Sequence, residues 1–132
     1  MKALLHSKCN NVLLNYQNIH SHIMNLDHKI RLVTICDSNG KIMFSDHRPG
    51  VINLLSPEES RKSLEMAVNA WKTRTQLAGK IGKGKYVLAE YEKIKRITMP
   101  LGNDHLLYIT VEVEADHAKV LDGVKRLESE LK

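Results

Sequence analysis

The sequence predicts one α+β domain with elements in the order helix, two strands, helix, three strands, helix. Three observations carry that reading. Apolar residues recur at alternating spacings of three and four near both ends and in the middle of the chain, the intervening runs are rich in β-formers, and turn residues punctuate them at "DSNG" and "LGND". A chain of 132 residues can bury a single sizeable core without staples, and residues 1–132 leave no room for a second domain.

Each element has its own signal. Leu5, Cys9, Val12, Tyr16, Ile19, Ile23 and Leu26 fall on one stripe, predicting a long amphipathic helix over about 3–25 that covers the domain's own sheet. "IRLVTIC" and "KIMFS" form a hairpin around Asn39-Gly40, a pair that readily takes positive φ. Val33 and Ile35 point one way in the first strand and Leu32 and Cys36 the other, so both faces need cover. In "SPEE", Ser56 is an N-cap, Pro57 opens a second helix and Glu59 closes a capping box. Its stripe runs through Leu64, Val68, Trp71, Thr75 and Ala78 until Gly79 provides a C-cap. Three strands follow between Lys85 and Val113, with a break around Tyr91 to Lys93 that no Gly or Pro marks. Asp116 then caps a last helix with Val120, Leu121, Val124, Leu127 and Leu131 on its apolar face.

Several function classes lack their residues. "GKIGKGKY" looks like a phosphate-cradling loop, but Tyr86 stands where a Ser/Thr must hold Mg²⁺, and the order of helix, loop and strand is reversed. No G-x-S-x-G elbow and no identifiable carboxylate pair is present. Cys9 and Cys36 have no metal-finger or C-x-x-C spacing and are expected as free thiols. The expectation is a protein that is no enzyme, with no catalytic residue and no cofactor. No apolar run is long enough to cross a membrane, and "MKALLHSKCNN" turns polar too early for a secretory signal, which predicts a cytoplasmic protein without a membrane partner. The net charge of +5 is concentrated in Lys72, Arg74, Lys80, Lys83, Lys85, Lys93, Lys95 and Arg96. With Tyr86 and Tyr91 interleaved, that basic patch offers a route to nucleic acid.

The hairpin "VTICDSNGKIMFS", the capped middle helix and the closing strands "ITMPLGNDHLLYITVEV" together resemble the roadblock (dynein light-chain) family and its longin and profilin-like relatives over nearly the whole chain. "IRLVTICDSNGKIMFSDHRPG" with the same closing strands is also similar to a group of small uncharacterised archaeal proteins. The roadblock resemblance implies a five-stranded antiparallel sheet in the order 2-1-5-4-3 with helices on both faces. It further implies a homodimer through the middle helix and third strand, and a scaffold or regulator of a small GTPase. Leu64, Val68 and Trp71 are then the expected dimer contacts. Related folds also host small-ligand sensors, which a cavity lined by Leu32, Cys36 and Tyr108 would favour.

The histidines form a pattern of their own: Asp27-His28, Asp46-His47, Asp104-His105 and Asp116-His117 all fall at element boundaries, where aspartate is common in any case. The implied sheet order sets the start of strand one and the ends of strands two and five side by side at spacings of about 4.8 Å. His28, His47 and His117 are therefore candidate metal ligands, or a pH-sensitive cluster with their aspartates. His20 and His22 lie on different helix faces and make no pair.

Overall fold

A computed structural model describes residues 15–130. Helix α1 (Tyr16–Met24) leads into the hairpin β1 (Ile30–Asp37) and β2 (Ile42–His47). Then come helix α2 (Pro57–Gln76), the single turn α3 (Ala78–Ile81), strands β3 (Val87–Glu90), β4 (Ile94–Leu101) and β5 (His105–Glu112), and helix α4 (His117–Glu130). The strands form one antiparallel sheet in the order β2-β1-β5-β4-β3, as the resemblance implied. The part of the predicted first helix that carries Leu5, Cys9 and Val12 lies outside the described residues, as does Leu131. Among the described residues no helix is long and apolar enough to cross a membrane.

The sheet is covered on both faces. Val33 and Ile35 of β1, Ile97 and Met99 of β4, and Leu107 and Ile109 of β5 pack with Ile19 and Ile23 of α1 and Val120 and Val124 of α4 in the larger core. The opposite face holds a smaller cluster in which Leu64 and Val68 of α2 meet Cys36, Leu106 and Tyr108. Burial without a partner cation pushes the Cys36 thiol up to about 11, so it is an inert core residue.

Local chemistry fixes the turns. In the first hairpin Gly40 N–H donates to Asp37 C=O at 3.0 Å, and Asp37 Oδ1 accepts from the Asn39 and Lys41 amides at 2.9 Å each. Gly40 alone takes positive φ there, at +91°, and its open side lies against Val68. The capping box at Ser56 and Glu59 forms as expected, with both reciprocal bonds present. The end of α2 differs: Leu77 is its C-cap, Gly79 sits inside α3, and the positive-φ residue that stops the helical path is Gly82 at +92°. Two glycines three residues apart both suit a helix end, and only the backbone angle distinguishes them. The unmarked break does fall at Tyr91, whose amide donates to Ile94 C=O at 2.8 Å to turn β3 into β4.

One end of the sheet is held by buried and half-buried charge. Arg48, just past β2, donates from Nη2 to Met24 O at 2.8 Å and Asp27 O at 2.9 Å, and from Nε to Ile30 O at 2.8 Å. A single planar guanidinium thus satisfies the end of α1, the connecting turn and the start of β1, a task its fork geometry suits. Asp27 is buried beside it and accepts from the Lys29 amide at 2.8 Å, with Lys119 Nζ of α4 at 3.6 Å. The Lys29 amide first, then Lys119 and His28, hold its carboxyl below the ordinary value of 3.8 against the opposing effect of burial. Helix α4 approaches closely because Gly123 has no side chain: a Cβ there would lie 2.6 Å from Leu26 Cδ2.

These contacts generate three expectations. Arg48→Met should cost about 2–4 kcal/mol in urea unfolding, and Arg48→Lys should restore little of it, because an ammonium cannot span three carbonyls. Asp27→Asn should cost about 1–2 kcal/mol at neutral pH. Since the folded carboxyl is depressed, that stability is complete above the ordinary 3.8 and disappears as pH falls through the lower folded value, so native and variant unfolding midpoints should converge in acid. Gly123→Ala should destabilise by about 1–3 kcal/mol through overpacking. The same change in a Leu26→Ala background should be neutral or stabilising, because alanine is the better helix former.

Candidate functional site

The most structured recess on the surface lies between α2 and the β3–β4 arm. Leu64 and Val68 seat α2 over β1 and β5, which leaves Ala67 and Ala70 over the narrower β4–β3 side opposite Ala89. Three alanines cannot fill that space. The resulting cleft of about 170 Å³ has Trp71, Val87, Tyr91 and Tyr108 as walls, with Arg74 at its mouth. Gly84 sits against the outer edge of the Trp71 ring, where a Cβ would come within 3.4 Å.

Arg96 of β4 occupies the floor. Strand alternation points Arg96 and Thr98 towards α2, and the ladder sets Thr98 opposite Tyr108 and Ala89 opposite Arg96. The guanidinium carbon lies 5.3 Å from the Tyr91 ring centroid and 5.7 Å from that of Tyr108, within cation–π range of both. Tyr108 is itself fixed by a 2.6 Å hydrogen bond between its hydroxyl and Ser63 Oγ of α2. Arg96 Nε is buried and has no hydrogen-bond partner among the described residues. The arrangement can orient an anion.

Beside the cleft a broader apolar groove of about 610 Å³ runs between Leu54, Leu55, Met66, Tyr91 and Ile94. Met66 on its wall is 72% exposed, and Glu59, Lys62, Glu92 and Lys93 also line it. The outer edge of β3 borders the same surface. Because the Tyr91 amide bonds Ile94, antiparallel alternation sends the amides of Val87 and Ala89 towards β4 and those of Leu88 and Glu90 outward.

The residues singled out by sequence are distributed as follows. Leu64 and Val68, expected at a dimer contact, are buried against the protomer's own sheet, and Trp71 is half-buried. Of the basic patch, Lys72, Arg74, Lys80, Lys83, Lys85 and Lys93 are exposed. Lys95 is not a surface charge: it is 6% exposed and donates to Ala115 O at 2.7 Å, with His117 Nδ1 at 2.9 Å. Asp27 and the start of α4 do meet at one sheet end, as the topology suggested. Their chemistry is an ion pair through Lys119 and a lysine–imidazole hydrogen bond, and among the described residues no three His, Cys, Asp or Glu side chains are grouped to hold a metal ion. His28 is exposed and His47 Nε2 lies 3.2 Å from Asn53 Nδ2. The fourth dipeptide sits at the opposite end, where His105 bridges Asp104 at 2.8 Å and the Tyr16 hydroxyl at 2.9 Å. Of Leu32, Cys36 and Tyr108, whose shared cavity would have favoured a ligand sensor, Tyr108 alone lines this cleft. Arg96 was legible as a charge but not as an inward one. The available signal was its even spacing with Thr98 along an otherwise buried strand.

No protein-family model matches the chain, and no curated protein matches it in sequence. Solved structures do share its fold. A gliding protein MglB from Thermus thermophilus superposes with a TM-score of 0.71 at 14% identity, over 87% of this chain and 84% of that one. A roadblock/LC7 domain from Streptomyces avermitilis gives 0.67 at 14% identity, over 84% and 89%. Schizosaccharomyces pombe profilin gives 0.61 at 13% identity, over 89% and 96%. The element order, the 2-1-5-4-3 sheet and these superpositions together identify the fold of this chain as the one shared by roadblock/LC7 domains and profilin.

Proposed function

We propose that the protein is a non-enzymatic, homodimeric interaction module that acts as a scaffold or regulator. The observation that carries this reading is the outward edge of β3 lying next to an exposed apolar surface. Among the described residues Leu88 and Glu90 present backbone groups there without a strand partner, and Leu54, Met66 and Tyr91 present side chains that water solvates poorly. A second copy related by a two-fold axis would satisfy both at once, extending the sheet edge to edge and burying the outward side of α2. Leu64 and Val68 are taken up by the internal core, so Met66 is the α2 residue that contributes most to this contact, with Trp71 at its margin. A protein partner would then meet a surface composed from two protomers. The partner class is a small GTPase, a choice that rests on the resemblance to roadblock domains and on the shared fold.

Light scattering tests the assembly directly. The expected mass is that of a dimer at both low and high salt, because sheet pairing and apolar burial are little screened. Met66→Asp should weaken it by roughly a hundredfold, in the range of a central contact residue. A monomer at both salts would remove the assembly and the composite partner surface with it.

A further inference from the structure

We propose that the cleft between α2 and the β3–β4 arm is a binding site for a small carboxylate with an apolar body, and that Arg96 is its receptor. The cleft shares Met66, Trp71 and Tyr91 with the surface of the dimer reading, but the inference does not rest on that reading.

A guanidinium offers two parallel N–H groups, one from each Nη, to a planar anion, and a carboxylate matches that fork. Arg96 lines the cleft, and its Nε is enclosed with no hydrogen-bond partner among the described residues, so the guanidinium is wrapped by packing rather than tied to an internal acceptor. The two tyrosine rings lie against the guanidinium, and the Tyr108 bond to Ser63 holds one of those rings. The receptor is therefore oriented before any ligand binds, which removes much of the ordering cost of recognition.

The walls select the rest of the ligand. Ala67, Ala70, Val87 and Ala89 provide small apolar contacts and Trp71 a flat one, while Arg74, the other cation of the lining among the described residues, stands exposed at the mouth. A monoanion on a compact hydrophobic body fits, since a cavity of about 150 Å³ is enough for a benzene ring and the cleft measures about 170 Å³.

The test uses the full chain, benzoate as the probe and benzamide as its uncharged counterpart. Trp71 is the sole tryptophan and lines the cleft, so its fluorescence reports occupancy without a label. The ¹⁵N resonance of Arg96 Nε reports on the guanidinium that makes the contact. Benzoate should move both signals saturably at concentrations up to roughly 10 mM, the range suited to so small a ligand. Benzamide should bind at least roughly tenfold more weakly, and so should benzoate to the Arg96→Lys variant, which keeps the charge and loses the fork. Ala70→Phe, which fills the cleft and leaves Arg96 in place, should abolish the response. Signals unmoved by benzoate, equal binding of benzamide, or binding undiminished in either variant would overturn the proposal. Solution mass measured with and without benzoate keeps the two readings apart. A dimer that ignores benzoate overturns the cleft and leaves the dimer standing, whereas a monomer that binds it does the reverse.

Discussion

Two interior strands of the sheet, β1 and β5, cannot face water on either side, and the rest of the architecture follows from that. β1 alternates Val33 and Ile35 with Thr34 and Cys36, and all four are buried; β5 is buried from Leu106 to Val111. A strand of this kind needs a layer above and a layer below. Helices α1 and α4 supply one, with a continuous core beneath them. Among the described residues the other falls to α2 alone, and a single helix about 10 Å wide cannot span five strands at about 4.8 Å spacing. The uncovered margin is where the apolar groove, the free edge of β3 and the Arg96 cleft all occur.

Charge is used inside this frame in two ways. At the α1–β1 end, Arg48, Asp27 and Lys95 are taken out of water and each is given defined partners, so they fix how helices meet strands. On the α2 side, Arg96 is enclosed by rings rather than by acceptors. The difference matters chemically. A cation whose hydrogen bonds are filled by backbone carbonyls is structural, whereas one steadied by π faces keeps its in-plane donors available.

Much of this was legible in the sequence because local signals and global layout agree. The capping box at Ser56, the turn at Gly40 and the two-sided β1 each state their structure in a few neighbouring residues. The end of α2 was misplaced because Gly79 and Gly82 are both competent to stop a helix and the choice depends on packing of the following loop. Lys95 and Arg96 read as surface charges because composition carries no depth. Whether a lysine in a strand is buried depends on an acceptor twenty residues away, here Ala115, and no local pattern encodes it. The same holds for the cleft, which exists because alanines on α2 and β3 happen to oppose each other across a register set by β4.

The sheet order also has a consequence for how the chain is made. β1 pairs with β2 across a short turn, but its other edge pairs with β5, and the Cys36 thiol reaches Leu106 O across 70 positions of sequence. Closing so long a loop precedes any reward from the pairing. During synthesis, then, β1 waits with an unpaired apolar edge while α2, β3 and β4 are being added. β4 waits in the same way on its inner side. One strand, arriving last, closes both edges together, so the domain passes from two separate hairpins to a single sheet only when the chain through Glu112 has left the ribosome.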